Sequence, residues 1–262
     1  MIHSTAVVSP KARIAENVTI GPFCVVEDDV EIGAGTVLMG HIYVDNGARI
    51  GSDVTIHPHA VIATAPQDLK YRNEHTVAII GDRTVIRENV TVNRGTVSSG
   101  KSSVGSDCLV MSYAHVAHDC VVGNNVIMAN SVQLGGHVDV GDWAIIGGLT
   151  GIHQFCKIGA HSMIGACSRV LKDVPPFTLV GRDPLIVEGV NMVGLRRRGF
   201  TAETIKAIDE FYDVLLRSGY NNTDGLARYE EITPVIDEVV SSCISFIRGS
   251  KRGIYRGGSI KL

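Results

Sequence analysis

Residues 104–140 read VGSDCLVMSYAHVAHDCVVGNNVIMANSVQLGGHVDV, and an aliphatic or methionine side chain returns at every sixth position of this segment. The same spacing extends outward from it, over Val8 to Ile62, over Ile80 to Val92 and on to Val170. Neither the 3.6-residue turn of a helix nor the two-residue alternation of a strand has a period of six, so each unit combines a short strand with a bend. A repeat of this length predicts a solenoid of stacked parallel strands.

The repeat also predicts where each side chain points. The position two residues before each aliphatic is mostly small or apolar, so each strand has two inward side chains flanking one outward side chain. Three units then close one triangular coil, and residues eighteen apart lie one above the other, roughly 4.8 Å apart. Glycine is common directly after the aliphatic, where we expect a corner without room for a Cβ atom. Four cysteines occupy the inward small position and are predicted to be buried thiols: Cys24, Cys108, Cys120 and Cys156.

Two segments interrupt the repeat, and both rejoin it in phase. Residues 63–79 and 95–103 lack the aliphatic pattern, and we predict loops there, the second of them flexible. The repeat stops at Val174, before a Pro-Pro pair. We therefore predict two domains, a parallel β-helix over residues 1–174 and a helical domain over residues 175–262.

Helical spacing replaces the six-residue period in the second domain. Thr201 is expected to cap a helix with apolar positions at Ile205, Ile208, Phe211 and Leu215, which ends near Gly219. We expect another helix to begin at Thr233-Pro234. The helical domain should cover the open end of the prism.

Composition narrows the class of protein. A formal net charge of −3 argues against a nucleic-acid binder. The sequence has no basic-then-apolar leader pattern and no apolar run of membrane-spanning length, so we expect a cytoplasmic protein.

Stacking arithmetic brings several histidines to one edge of the prism. Counting in eighteens places His118, Gly136 and Gln154 in one column and Asp119, His137 and Phe155 in the next. His115 lies nearby, in the column of Gln133 and Gly151, and His153 directly precedes Gln154. Residues spread over forty positions of sequence are thus expected to converge.

The pair His118-Asp119 predicts acid–base chemistry at that edge. A neighbouring carboxylate orients an imidazole and raises its basicity from an ordinary pKa of about 6.5. Such an imidazole serves as a general base, and the main-chain N–H of Gly136 could face a developing oxyanion. The alternative is that these histidines are solvated corner residues without a chemical role.

Another column consists of apolar residues at outward positions, where side chains are expected to contact water. Leu109, Ile127, Ile145 and Met163 are outward residues spaced by eighteen. This stripe predicts either a subunit interface or a groove for a fatty chain. Both interpretations hold together if three prisms pack side by side and one subunit's stripe lies near another's His118.

Several segments closely resemble the acyl-ACP:UDP-N-acetylglucosamine O-acyltransferases of lipid A biosynthesis, nearly from end to end. They are Ala114-His115-Val116-Ala117-His118-Asp119-Cys120, Gly135-Gly136-His137, His153-Gln154-Phe155-Cys156, Gln67-Asp68-Leu69-Lys70-Tyr71 and Arg196-Arg197-Arg198-Gly199-Phe200. Hexapeptide repeats alone would indicate only a broad superfamily, whereas the His-x-x-His-Asp-Cys and Asp-Leu-Lys-Tyr segments are far more specific.

The resemblance implies a left-handed parallel β-helix, an exception to the usual right-handed crossover, assembled as a homotrimer. It implies that His118 takes the proton from the glucosamine 3-hydroxyl, with Asp119 as its orienting partner. The alkoxide would attack the thioester of a 3-hydroxyacyl chain on acyl carrier protein, while the Gly136 N–H holds the oxyanion. Transfer would be direct, with no metal and no organic cofactor.

The resemblance also implies binding roles for several residues. Sugar, diphosphate or acyl 3-hydroxyl groups would be held by Asp68, Lys70, His115, His137, His153 and Gln154. The nucleotide and phosphates would be held by Asn191, Arg197 and Arg198. The basic residues Lys251, Arg252 and Arg256 either dock an acidic carrier protein or form an ordinary charged surface. The chain departs from the family pattern at Val193, where an acid is common, at Asn93, where a histidine is common, and at Ala166, where some relatives have glycine. Ala166 would end the acyl groove, and its methyl group could change the accepted chain length.

Three other interpretations remain open. A metal-dependent enzyme similar to the gamma-type carbonic anhydrases needs histidines around one zinc ion, but here His118 precedes an acid, which suits a base better. The related N-acyltransferase of the same pathway carries an additional N-terminal domain, which we do not expect because the repeats begin at Val8. A scaffold without catalytic activity would not depend on His118.

Overall fold

The computed structural model of the chain describes residues 1–257, in which parallel strands form the three faces of a prism. The nine strands of the first face are β1 (Val7–Val8), β4 (Val25–Val26), β7 (Tyr43–Val44), β10 (Val61–Thr64), β13 (Thr91–Asn93), β16 (His115–Val116), β19 (Gln133–Leu134), β22 (Gly151–Ile152) and β25 (Arg169–Val170). The eight strands of the second face are β2 (Arg13–Ile14), β5 (Val30–Ile32), β8 (Ala48–Ile50), β11 (Val77–Ile80), β14 (Lys101–Val104), β17 (Val121–Val122), β20 (Asp139–Val140) and β23 (Lys157–Ile158). The ten strands of the third face are β3 (Thr19–Ile20), β6 (Val37–Leu38), β9 (Thr55–Ile56), β12 (Val85–Ile86), β15 (Leu109–Val110), β18 (Ile127–Met128), β21 (Ile145–Ile146), β24 (Met163–Ile164), β26 (Thr178–Gly181) and β27 (Ile186–Val190).

The register between coils confirms the eighteen-residue return. His115 lies opposite Gln133, eighteen positions further on. Across the first interruption the offset from Val61 to Thr91 is 30, twelve more than eighteen. Across the second, the offset from Thr91 to His115 is 24, six more than eighteen. Because both insertions are multiples of six, the inward and outward positions keep their faces on either side.

Both interruptions are shorter than predicted. Strands β10 and β11 extend to Thr64 and from Val77, so the first loop covers residues 65–76 rather than 63–79. Strand β14 begins at Lys101, so the second loop covers residues 94–100 rather than 95–103. The strands gain these residues because parallel pairing with the neighbouring coils satisfies their backbone groups, which a sequence pattern alone does not register.

The inward side chains form one continuous core. Ile86, Val110 and Met128 are fully buried, and the four cysteines predicted inward are buried free thiols. Val8 and Ile14 are only half-buried because the first coil has no coil stacked on its outer side. Burial of the aliphatic ladder is therefore the main source of the prism's stability.

Glycine occurs at the corners because neighbouring coils stack closely there, and not because its backbone is left-handed. A Cβ atom on Gly105 would lie 2.4 Å from the carbonyl oxygen of Gly123 in the next coil, so close stacking excludes a side chain. The left-handed conformation falls two residues later in the corner and is adopted by residues with side chains. Asp119, His137 and Phe155 have φ values of 59°, 60° and 64°.

Up to residue 257, four α-helices follow the prism: α1 (Met192–Arg197), α2 (Ala202–Tyr212), α3 (Asn222–Ile232) and α4 (Glu238–Arg248). Thr201 caps α2 as predicted, and a π-helical turn over Asp213–Arg217 carries the chain toward Gly219. The predicted start at Thr233-Pro234 is wrong. The Asp237 carboxylate caps α4 by accepting the Val239 N–H at 2.7 Å, a stronger start signal than proline offers.

The prism continues past the end of its repeat. Strand β26 pairs in parallel with β24 and adds one more strand to the third face, and β27 returns antiparallel to it. The Tyr212 hydroxyl donates to the Pro176 carbonyl at 2.7 Å, which joins α2 to the last coil. The division into domains at residue 174 stays a prediction, and residues 258–262 of the predicted helical domain lie outside the described residues.

Within residues 1–257, the helices reach eleven residues, and none is long and apolar enough to cross a bilayer.

The inward ladder gives a direct stability test. Replacing the buried Ile158 with Ala should lower the free energy of unfolding by about 2–5 kcal/mol, because the cavity cannot collapse between stacked coils. Lys157→Ala, one residue earlier on the outward side, should change it by less than about 0.5 kcal/mol. Denaturant titration of both variants measures the difference, and equal effects would contradict the assignment of inward and outward positions.

Candidate active site

The predicted columns meet at the corner between the first and second faces. His137 donates its main-chain N–H to the His118 carbonyl at 3.0 Å, and Phe155 donates to the Gly136 carbonyl at 3.1 Å, so three successive coils are in contact. An open cleft of about 560 Å³ lies beside them, lined by His115, His118, Gly136, His153 and Gln154 among others. The stacking arithmetic therefore placed these residues correctly.

His118 and Asp119 form the central pair. The Nδ1 atom of His118 lies 2.8 Å from Oδ2 of Asp119, and their side chains are 14% and 0% exposed. An ionised carboxylate only accepts hydrogen bonds, so Nδ1 carries the proton and donates it. The other ring nitrogen, Nε2, is then left with a lone pair.

The Asp119 carboxylate is saturated with donors. Its Oδ1 accepts the Thr96 N–H at 3.0 Å and the Ser99 hydroxyl, and its Oδ2 accepts the Thr96 hydroxyl at 2.8 Å as well as His118. Burial by itself raises the pKa of Asp119, but the hydrogen bonds from Ser99, His118 and Thr96 outweigh it and lower the pKa to about 2. The carboxylate is therefore charged throughout the neutral range.

Gly136 packs directly on the imidazole of His118. A Cβ atom at this position would lie 2.5 Å from Cε1 and 2.7 Å from Nε2 of His118, so glycine is required here by close approach. The Gly136 N–H has no acceptor among residues 1–257. A backbone donor is thus available beside the free nitrogen of His118.

Three further histidines surround this pair. The His137 ring stacks on Phe155 with centroids 4.5 Å apart and meets the His118 ring edge-on at 5.2 Å. His115 lies 2.7 Å from the Thr91 hydroxyl, and burial, with the proximity of His118, lowers the pKa of His115. His153 donates Nδ1–H to the Gln154 carbonyl at 3.0 Å, which leaves its Nε2 as an acceptor.

His118, Asp119 and His137 could also be read as a metal site. Each offers a ligand atom, and these atoms lie within 4.8 Å of one another. Zinc accepts such a set of two imidazoles and a carboxylate. However, both oxygens of Asp119 already accept hydrogen bonds from Thr96, Ser99 and His118, which a metal ion would have to displace. The hydrogen bonding of the acid favours the interpretation as a base and its orienting partner.

The loop over residues 65–76 reaches the cleft through Gln67, which lines it. Asp68 is half-buried and accepts the Lys70 N–H at 2.9 Å, while the Lys70 side chain is exposed. Arg94 anchors this loop, donating to the Tyr71 hydroxyl at 3.0 Å and to the Ala63 carbonyl at 2.7 Å. The roles predicted for Asp68 and Lys70 stay predictions.

The apolar stripe lies on another face of the same chain. Leu109, Ile127, Ile145 and Met163 are in register on the third face, as predicted, and Met163 is 38% exposed. Ala166 is exposed at the corner between the third and first faces. One chain by itself therefore does not bring the stripe to His118.

The residues predicted to hold the nucleotide lie at a third edge, between the second and third faces. The Asn191 side chain caps α1, accepting the Gly194 N–H at 3.2 Å and donating to the His161 carbonyl at 3.0 Å. Arg198 lies over the Trp143 ring at 5.4 Å, and burial lowers the pKa of its guanidinium group. Arg197 is exposed. Asn191 thus has a structural role, which the sequence did not indicate.

The basic residues predicted to hold the carrier protein differ in their contacts. Arg256 donates to the carbonyls of Leu215 and Tyr220, both at 2.6 Å, so its charge supports the fold. Arg252 donates to the carbonyl of Leu171, a residue on the cleft rim, at 3.2 Å, and Lys251 is exposed.

The residues that surround Asp119 were not predicted from the sequence. Thr96 and Ser99 belong to a segment that lacks the six-residue period, so counting in steps of eighteen residues could not locate them. Arg169, which lines the cleft, was missed although it is eighteen positions from Gly151. Extending the His115 column by one further coil would have found it.

Two family models match parts of the chain and indicate its class of protein. Residues 101–136 match a family described as bacterial transferase hexapeptide (six repeats). Residues 173–255 match a family described as Udp N-acetylglucosamine O-acyltransferase, domain 2. The repeats and the cleft therefore belong to a hexapeptide-repeat transferase.

Longer matches identify the family. An acyl-[acyl-carrier-protein]–UDP-N-acetylglucosamine O-acyltransferase from Thermodesulfovibrio yellowstonii is 44% identical over 256 residues, 97% of this chain and 99% of that protein. One from Verminephrobacter eiseniae is 45% identical over 259 residues, with the same coverage. The solved UDP-N-acetylglucosamine acyltransferase of Francisella novicida has a TM-score of 0.95 at 39% identity, covering 99% of this chain and 95% of that one. That of Bacteroides fragilis has a TM-score of 0.95 at 42% identity, covering 98% and 100%. The chain belongs to the UDP-N-acetylglucosamine O-acyltransferase family and has the left-handed parallel β-helix that the resemblance implied.

The low pKa of Asp119 predicts a specific loss of stability in acid. Its pKa of about 2 lies below the unfolded value of about 3.9, so its contribution is complete above about pH 4 and is lost as the pH falls through about 2. The free energy of unfolding of wild type should exceed that of Asp119→Asn by a constant amount above about pH 4, and the difference should narrow by roughly 2 kcal/mol toward pH 2.

Denaturant titrations at a series of pH values measure this difference. Asp183→Asn alters an exposed carboxyl and serves as the control, with a small difference expected at every pH. A gap between wild type and Asp119→Asn that stays constant down to pH 2 would show that the carboxylate is not stabilised as described.

Proposed function

We propose that this protein transfers a 3-hydroxyacyl chain from acyl carrier protein to the 3-hydroxyl of the glucosamine in UDP-N-acetylglucosamine, the first step of lipid A biosynthesis. The observation that carries the proposal is the hydrogen bond from His118 Nδ1 to the buried, charged Asp119, which leaves Nε2 free beside an open cleft. Membership of the family supports the choice of donor and acceptor, because the relatives are named for that reaction.

Nε2 of His118 takes the proton from the sugar hydroxyl as its oxygen attacks the thioester carbonyl. The resulting imidazolium is stabilised by the charge of Asp119, whose pKa of about 2 keeps it ionised at the pH of the reaction. Gly136 packs on the His118 ring, and its N–H, which has no acceptor among residues 1–257, would donate to the oxyanion of the tetrahedral intermediate. Collapse of the intermediate expels the carrier thiolate, which takes the proton from His118.

Neutral hydrogen-bonding groups around the cleft suit an uncharged sugar. His115 is neutral because burial lowers its pKa, and His153 keeps an acceptor nitrogen. We assign His115, His137, His153 and Gln154 to the sugar and the acyl 3-hydroxyl, with Asp68 and Lys70 approaching from the loop over residues 65–76. The reaction uses no metal ion and no organic cofactor.

A homotrimer is part of the proposal, because the parts of the site lie on different faces of one chain. A two-fold interface uses the same patch on both chains, and the apolar stripe and His118 lie on different faces, so such a dimer would not bring them together. A closed three-fold ring packs unlike surfaces, so it can place the stripe, Ala166, Arg197 and Arg198 of one chain at the His118 edge of the next. Asn191 would reach the nucleotide only through the position it gives to α1.

We also place the enzyme in the cytoplasm. All six cysteines are free thiols, five of them buried in the core and Cys167 exposed at a corner. Free thiols of this number are typical of a reducing compartment.

Replacement of the base tests the mechanism. His118→Gln should lower kcat for transfer from 3-hydroxyacyl carrier protein to UDP-N-acetylglucosamine by about 10²–10⁴-fold, because it removes the imidazole nitrogen that takes the hydroxyl proton. His3→Gln is the matched control, since His3 contacts only Thr5 through its side chain among residues 1–257 and lies at the other end of the prism. A His118→Gln enzyme with undiminished turnover would remove the assigned base.

Mixed trimers test whether each site is shared. His118→Gln and Arg197→Ala chains should each have little activity alone. Unfolding and refolding them together in equal amounts should restore about a quarter of the wild-type activity, since one site in four then combines an intact His118 with an intact Arg197 from the next chain. Refolded wild type sets the scale. Absence of any recovery would place both residues in one chain's own site, and full activity of Arg197→Ala alone would exclude Arg197.

A further inference from the structure

We propose that Thr96 and Ser99 are positioning residues that set the proton affinity of His118 through Asp119. This inference rests on the proposed function, because it concerns the base of that reaction. It assigns a role to the loop over residues 94–100, whose sequence predicts only a flexible interruption of the repeat.

The loop is compact and is built against Asp119. The Gly100 N–H donates to the Thr96 carbonyl at 2.8 Å, which closes the loop on itself. Gly95 leaves no room for a side chain, because a Cβ atom there would lie 2.3 Å from the Lys101 nitrogen. The ends of the loop are thereby fixed at β13 and β14. Thr96 is 7% exposed, so its hydroxyl and N–H are presented to the buried carboxylate rather than to water.

The two oxygens of Asp119 are held by different donors. The Thr96 hydroxyl and His118 Nδ1 share Oδ2, at 2.8 Å each. The Thr96 N–H and the Ser99 hydroxyl share Oδ1. The Ser99 oxygen also lies 2.7 Å from the Lys101 carbonyl, but its single proton goes to the carboxylate, which is the stronger acceptor.

This arrangement fixes the carboxylate and disperses its charge. Each donor from the loop withdraws negative charge from Asp119, so less of it is available to stabilise a protonated His118. The loop therefore holds His118 in position while it limits how strongly Asp119 favours the protonated imidazole. Only an unprotonated base accepts the hydroxyl proton, so the strength of this interaction bears directly on the reaction.

Few other charges bear on the pair. His137 Nε2 is 3.6 Å from Asp119 Oδ2, and its ring meets that of His118. His115 interacts electrostatically with His118. The Cys120 thiol follows Asp119, and burial raises its pKa to about 12, so it stays neutral. Ser102 accepts the Asp119 N–H at 2.8 Å and fixes the main chain without contacting the carboxylate.

Removal of the loop donors should shift the pH profile in a defined direction. In Thr96→Val the shape is kept but the hydroxyl is lost, and Ser99→Ala removes the second hydroxyl. The carboxylate then accepts a stronger hydrogen bond from His118 and favours the protonated imidazole. The acid limb of the profile, where kcat/KM falls because His118 is protonated, should therefore move to higher pH, by roughly one unit in the double variant. Asp119→Asn, which removes the charge, should move the same limb to lower pH.

The conservative variant and a direct titration separate this role from a structural one. Thr96→Ser retains the hydroxyl and should restore the wild-type limb, whereas loss of packing alone would lower the rate without moving the limb. NMR titration of labelled His118 in wild type and Thr96→Val measures the same shift without turnover. If wild type is active but the limb does not move in the double variant and the His118 titration does not move in Thr96→Val, this inference alone would be overturned. A wild type with no transfer activity would overturn the proposed function instead.

Discussion

The structure depends on the main-chain hydrogen bonds that join each strand to the strand eighteen residues further on. The bond from the His115 N–H to the Val132 carbonyl, 2.9 Å long, is one of many that repeat at each coil. Because these bonds run along the prism axis, they fix both the spacing of coils and the face on which each side chain lies. The inward aliphatic ladder then makes any slip of register costly, because one residue of slip would expose the whole ladder. The geometry around His118 inherits its accuracy from this constraint.

That constraint explains how much the sequence could predict. The faces, the inward cysteines and the convergence of His118, Gly136 and His137 all follow from counting in eighteens. The surroundings of Asp119 could not be found in this way, because the loop over residues 94–100 has no period and its contacts depend on how it closes. For the same reason the cap of α4 was misplaced, since Asp237 and Thr233 are both acceptable caps in sequence and only packing distinguishes them.

Asn191 shows a related limit. The resemblance to a family suggests which positions are functional, but it does not separate a contact with substrate from support for one. Here the Asn191 side chain caps α1 and reaches the His161 carbonyl, and both bonds use the groups that a nucleotide would need. Arg197 is the last residue of α1, and Arg198 is its C-cap. Fixing that helix is therefore the route by which Asn191 can affect binding by its neighbours.

The two ends of the prism differ in how well they are covered, and this difference determines which end frays first. The first coil is half-buried and uncovered, whereas the last is extended by β26 and covered by α2. In a stacked array, fraying starts at the end that lacks a neighbour and moves inward one layer at a time. The cleft is built from residues near the covered end, and many layers separate it from the uncovered one. Local opening at the amino terminus therefore leaves the coils around His118, and the reacting groups that they hold, undisturbed.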